Sequence, residues 1–313
     1  MAARLLITGG AGFIGVNVID ALSRAGGYDI TVLDNESTGS FDHVAPFGVR
    51  IVRSDIRDAG VVRRALDGIE TVLHLAADTR VIDSIADPAK NFDVNVVGTF
   101  TLLRCAREAG VRTFVNASTG GAILGEAPSP VHEDLPPQPL SPYGASKLAA
   151  EGYCSAFAGA YGLRCISLRF SNVYGPRSFH KGSVVAHYFR QLIDGRELVV
   201  YGDGTQTRDF LFVSDLACGI RQAIEREVTG VFQLGSGRPT TINALIEVIR
   251  TTLDGDADVR VRYSDARPGE VHTTWCDITK ARRAFGFEPS TPLASGLKAT
   301  WQWFRATHAR QLA

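Results

Sequence analysis

Short apolar runs recur along the chain at residues 4–7, 30–33, 51–55, 71–75, 113–117 and 165–170. Each is too short for a helix, and glycine or polar turn residues bound it, as expected of a strand buried on both faces. Between them, residues 16–25, 91–109 and 143–158 carry helical spacing. Strands alternating with helices of that length predict an α/β chain with a doubly wound parallel sheet. In such sheets ligands bind beyond the carboxyl ends of the strands. A further run at 231–235 is expected to return to this sheet, so residues 1–170 form one domain and 171–313 mainly a second.

The first strand runs into Thr8-Gly-Gly-Ala-Gly-Phe-Ile-Gly15, ahead of a helix. Gly9, Gly12 and Gly15 allow a tight turn, close approach of the backbone to a pyrophosphate, and close helix–strand packing. Phe13 and Ile14 place their N–H groups at the helix N-terminus, where negative charge is favoured. Asp34, about 20 residues further on, is placed to bond ribose hydroxyls and would repel a 2′-phosphate, so the expected cofactor is NAD and not NADP. Asp55, after the third strand, is expected beside the adenine.

The stretch 141–151, Ser-Pro-Tyr-Gly-Ala-Ser-Lys-Leu-Ala-Ala-Glu, reads as a helix with proline at its start. Tyr143 and Lys147 lie one turn apart on one face. An ammonium beside a phenol is expected to lower its pKa from about 10. A phenol so tuned can exchange a proton with a sugar hydroxyl. Thr119 follows a strand and precedes Gly120-Gly121, so its hydroxyl can approach a ligand. His74, at the end of another strand, reads as a satisfied core histidine.

Composition narrows the classes. Of 313 residues, 45% are hydrophobic and the formal net charge is +0, which argues against a nucleic-acid-binding surface. No apolar run reaches about 18 residues, so no membrane span is expected. The first residues enter a strand without a leader pattern. The five cysteines (Cys105, Cys154, Cys165, Cys218 and Cys276) are scattered, as reduced thiols of a cytoplasmic protein would be, and imply no metal site.

Several ordered motifs together resemble the extended short-chain dehydrogenase/reductases, and among them the UDP-glucose 4-epimerase group of NAD-dependent epimerases and dehydratases. They are the glycine loop, His74-Leu-Ala-Ala77, Ser118-Thr-Gly-Gly121, Tyr143-Gly-Ala-Ser-Lys147, Leu168-Arg-Phe-Ser-Asn-Val-Tyr-Gly-Pro176, Tyr201-Gly-Asp-Gly204, Arg208-Asp-Phe210 and Arg267-Pro-Gly-Glu270. The resemblance implies a Rossmann sheet with a smaller mixed α/β C-terminal domain that binds a UDP-sugar. It makes Tyr143 the acid/base, Lys147 its tuning partner and ribose contact, and Thr119 the holder of the reacting hydroxyl, with Ser118 assisting. Ile56, Leu75, Ala76, Ala77, Asn95 and Asn35 are implied as further NAD neighbours. Asn172, Arg208 and Arg267 are implied at the diphosphate, and Val184, Val199 and Tyr201 around the uracil. A homodimer packed through the 91–109 and 143–158 helices is implied as well.

Departures from the family pattern sharpen the expectation. Dehydratases of the group carry an Asp-Glu pair where this chain has Gly120-Gly121. Leu124 replaces a usual tyrosine and is expected to alter packing near the sugar. Glucuronate epimerases often carry threonine where this chain has Asn172, which favours a neutral sugar, although Arg80 could pair with a carboxylate. Thr274 resembles the gate beside the sugar C2 position, and its small size would admit an N-acetyl group. The expectation is therefore 4-epimerisation of UDP-glucose and UDP-galactose, with the N-acetylated pair also open. The alternatives are a UDP-glucuronate 4-epimerase or another nucleotide-sugar reductase or decarboxylase. A non-catalytic NAD sensor is the remaining class, against which stands the retained Tyr/Lys pair.

Overall fold

The computed structural model describes residues 2–253, 255–266 and 271–312. Seven parallel strands form the central sheet: β1 (Ala3–Thr8), β2 (Tyr28–Asp34), β3 (Arg50–Arg53), β4 (Thr71–His74), β5 (Thr113–Thr119), β6 (Arg164–Phe170) and β7 (Gly230–Leu234). Their order is β7-β6-β5-β4-β1-β2-β3. The winding reverses between β1 and β4, and a crevice opens there at the carboxyl ends. The third strand is shorter than its apolar run, because Ser54 and Asp55 already leave it.

Three helices frame the crevice. Helix α1 (Phe13–Ala25) follows the glycine loop and packs against helix Val213–Glu225. Helix α2 (Gly98–Glu108) continues a helical run from Pro88–Phe92 through a π-turn at Asp93–Val97. Helix α3 (Pro142–Tyr161) starts at Ser141, whose hydroxyl caps the Gly144 N–H at 3.1 Å, with Pro142 in the first turn. Gly144 is required there, since a Cβ would lie 2.1 Å from the Ala122 carbonyl oxygen. That close approach brings the loop after β5 against the start of α3.

Two apolar clusters, one on each face, hold the sheet, and a third, built on Tyr174, Phe189, Trp301 and Phe304, organises the C-terminal half. That half contains three two-stranded pieces, among them Asn172–Tyr174 with Phe210–Phe212 and Leu198–Tyr201 with Val261–Ser264. Besides the strand β7, helical residues return from it to the first core. Leu216, Ile220 and Ala223 of Val213–Glu225, together with Phe285 and Phe287, pack in the sheet's own cluster. The returning β7 needs these apolar covers, because a parallel strand is buried on both faces.

Candidate active site

The glycine loop is fixed partly by the chain's own packing. Gly9 has φ +69°, and a Cβ there would lie 2.5 Å from the Ala76 nitrogen, so the segment after β4 presses against the loop after β1. A Cβ at Gly15 would meet Gly10 and Gly9 backbone at 2.5 Å. Gly12 differs, because its Cβ would find only the Gly9 oxygen, at 3.4 Å. Gly12 is the N-cap of α1 and no side chain caps the first turn, so Phe13 and Ile14 open the helix beside free space. Uncapped N–H groups beside an open face fit a diphosphate.

Asp34 ends β2. Its carboxylate accepts the Ala11 N–H at 3.0 Å and the Glu36 N–H at 2.7 Å, and burial raises its pKa. Each oxygen retains a lone pair for a ribose hydroxyl. Asp55 is more committed: Arg57 and the Asn35 amide bond its carboxylate, and Arg57 holds its pKa down to about 2. Ile56 is a core residue whose side chain fills the space left by Gly98. Leu75 is partly buried against the core, and Ala76 and Ala77 follow it over Gly9.

Asn95 is bonded within the protein. Its side chain, in the π-turn, accepts from the Asp78 N–H at 2.7 Å and donates to the Asp78 carbonyl and to Ser146 Oγ. The amide therefore ties the loop after β4 to α3, with no donor left for a ligand. His74 is as expected: it is buried, with Thr8 and Thr99 hydroxyls at 2.7 and 2.8 Å on its two ring nitrogens. Burial and the nearby Lys147 push its pKa down to about 3, so the ring is neutral.

Thr119 lies within reach of the Tyr143 phenol and favours its ionised form. The Tyr143 backbone N–H donates to Ser84 Oγ at 3.2 Å. Lys147 is buried, and its ammonium donates to the Ala117 carbonyl at 2.9 Å. The expected lowering of the phenol pKa is not found in the protein alone. Burial raises Tyr143 to about 12, with Thr119 pulling the other way, and it lowers Lys147 to about 8. Desolvation disfavours both charged forms.

Ser118 joins a buried charge network. Its hydroxyl donates to Glu151 Oε1 at 2.6 Å, and Glu151 also accepts two bonds from Arg169, at 2.9 and 2.8 Å. All three residues are buried. The Ser118 hydroxyl is thus engaged within the protein. Glu151, one turn beyond Lys147, raises the lysine pKa against the effect of burial. Its helical spacing from Lys147 was visible in sequence; Arg169, on another strand, was not. Leu124 is buried in the main core.

The candidates of the C-terminal half lie on several of its elements. Asn172 is joined to strand Phe210–Phe212 by its N–H on the Asp209 carbonyl, at 2.9 Å. Arg208 donates to the Thr207 carbonyl at 2.8 Å. Asp209, buried, accepts from Ser236 N and Oγ, Gly237 N and Cys276 N and Sγ, and so pins three segments around Arg208. Thr274 bonds Thr207 through its backbone and lies against Gly121, where a Cβ would sit 3.2 Å from its methyl. Thr274 thus faces a glycine that lies two residues after Thr119. Val184 starts helix Val184–Ile193, and Val199 and Tyr201 lie partly buried on Leu198–Tyr201. Arg267 lies outside the described residues.

Among the described residues no group of His, Cys, Asp or Glu side chains could hold a metal ion, and no helix is long and apolar enough to cross a membrane. Comparison with known proteins identifies the family. A UDP-glucose 4-epimerase of Mycolicibacterium smegmatis is 36% identical over 311 residues, 96% of this chain and 98% of that one. A dTDP-glucose 4,6-dehydratase of Streptomyces griseus is 34% identical over 313 residues, 97% and 94% of the two chains. The crystal structure of a Thermotoga maritima UDP-glucose 4-epimerase with UDP-glucose superposes with a TM-score of 0.90 at 37% identity, covering 97% of this chain and 99% of that one. The profile of the NAD dependent epimerase/dehydratase family matches residues 5–235. Extending over most of the chain, these matches and the glycine loop, Asp34 and the Tyr143–Lys147 helix establish that the chain belongs to the NAD-dependent epimerase/dehydratase family.

Proposed function

We propose that the chain is a UDP-hexose 4-epimerase that works through a 4-keto sugar. The observation that carries this reading is the crevice at β5. The Tyr143 phenol meets Thr119 there, and the two positions that follow are Gly120 and Gly121, closed by Gln233 and Thr274. Loss of water from the sugar would need a further acid and base at the reacting carbons, and glycine supplies neither.

NAD fits the uncapped N-terminus of α1 and the Asp34 carboxylate, with Gly12, Phe13 and Ile14 at its diphosphate and Leu75, Ala76 and Ala77 along its other half. When bound it supplies the hydride acceptor and donor and a positively charged ring. The chain's own residues orient the sugar and move its proton. Tyr143 takes the 4-hydroxyl proton and returns it, and Thr119 holds that hydroxyl. Lys147, fixed on the Ala117 carbonyl, contributes positive charge beneath the phenol. Arg208 grips the diphosphate while the keto sugar presents its other face, and Asn172, Val184, Val199 and Tyr201 seat the nucleotide.

Thr274 sets the width of the sugar site, and its small side chain admits the N-acetylated hexoses beside the plain ones. A homodimer fits the apolar side chains left exposed on the two framing helices, including Phe92, Phe100, Tyr153 and Tyr161. The domains divide near residue 170. A panel of UDP-sugars incubated without added cofactor and followed by proton NMR tests the reading. It predicts interconversion of the 4-epimers with no net NADH; a 4-keto-6-deoxy product or stoichiometric NADH consumption would overturn it.

A further inference from the structure

Residues 176–183 link strand Asn172–Tyr174 to helix Val184–Ile193, and they are held tightly. The Asn17 amide donates to the Pro176 carbonyl at 3.1 Å, and the Arg177 guanidinium reaches Asn17 and Asp20 at 3.0 and 3.2 Å. These bonds hold Arg177 at φ +69°, a conformation that costs a non-glycine residue energy. The Arg190 guanidinium donates to the carbonyls of Phe179 and Lys181. The segment therefore presents Lys181 from a fixed frame.

The Lys181 ammonium donates to the Val173 carbonyl at 2.7 Å and lies 5.1 Å from the centre of the Phe13 ring. One of its three donors is used, and a phenyl face offsets only part of the loss of water. Burial brings its pKa down to about 8, and no charged group among the described residues opposes the shift. A partly buried cation without an anionic neighbour is stabilised by a ligand that provides one. Phe13 opens α1 at the loop that fits the dinucleotide diphosphate, and Val173 adjoins Asn172. Lys181 thus stands at the seam where the two halves of the molecule meet.

We propose that Lys181 is a binding residue at this seam, donating to an oxygen of a nucleotide diphosphate. The diphosphate is that of the dinucleotide or that of the sugar nucleotide, which share the same chemistry. The inference uses the nucleotide-sugar reading only in choosing UDP as a probe.

The test is calorimetric titration of the wild type, Lys181→Met and Lys181→Arg with NAD and with UDP, alongside adenosine and uridine as partners lacking the diphosphate. Lys181→Met retains the stem over Phe13 and should weaken NAD or UDP about tenfold, the worth of one charge-assisted hydrogen bond. Adenosine and uridine should stay within about twofold by the same arithmetic, and Lys181→Arg should restore most of the loss. Weakening confined to NAD assigns the contact to the cofactor, and weakening confined to UDP assigns it to the substrate. Should Lys181→Met fail to fold, Lys181→Gln replaces it in the same titrations. NAD and UDP both unchanged would overturn the proposal, as would equal loss on the nucleosides. If NAD and UDP bind the wild type but no 4-epimerisation follows, the functional reading fails while this inference stands.

Discussion

The two walls of the crevice are built on different physics. Beside β1 the glycine loop is shaped by sterics: backbone passes backbone so closely that Gly9 and Gly15 have no room for a methyl group. Beside β5 the wall is shaped by buried charge, with Lys147 on the Ala117 carbonyl and Glu151 clamped between Ser118 and Arg169. A steric wall tolerates any chemistry that fits, whereas a charged one depends on every partner staying in place. Substitutions on the two sides should therefore fail in different ways.

The largest effect is expected from Tyr143→Phe. It deletes the proton carrier and leaves packing intact, so turnover should fall about 10³-fold, within the range for general acid–base groups. Thermal melting should show the fold unchanged. Glu151→Gln comes next: it leaves Arg169 buried without its counter-charge, and urea unfolding should reveal a loss of about 3–5 kcal/mol. On the steric wall, Gly15→Ala should cost about 1–3 kcal/mol by overpacking. Gly12→Ala, with its open side, should leave stability unchanged and weaken dinucleotide binding alone. Equal stability loss at Gly12 and Gly15 would erase the contrast.

A pH profile gives the mildest test. Burial sets Lys147 at about 8, so turnover that needs its ammonium should decline as pH rises through that value. Stability moves the other way. The unfolded chain holds the lysine proton up to about 10.5, so between about 8 and 10.5 it binds more protons than the folded one, and folding becomes more favourable as pH rises. A flat activity profile to pH 10 would remove Lys147 from the chemistry.

What was legible in sequence follows the same division. The glycine loop, Asp34 and the Tyr143–Lys147 pair could be read because each is local, a strand–turn–helix or a single helical turn. The direction of the Ser118 hydroxyl could not, since it depends on Glu151, 33 residues away, and on Arg169 in the neighbouring strand. Asn95 was placed at the cofactor by its motif position, yet its partners Asp78 and Ser146 come from a loop and another helix. Lys181 carried no motif and acquired its position only when residues 176–183 were fastened to α1. The central sheet was readable as apolar runs; the return of Val213–Glu225 and Phe285 to its core was not, because both lie in a stretch of ordinary helical spacing.

The most direct test follows one hydrogen. UDP-glucose deuterated at C4 should yield UDP-galactose with the deuterium still on C4, detected by proton NMR and mass spectrometry, because the hydride that leaves that carbon comes back to it. Deuterium found at C6 of a 4-keto product, or released to solvent, would contradict the account.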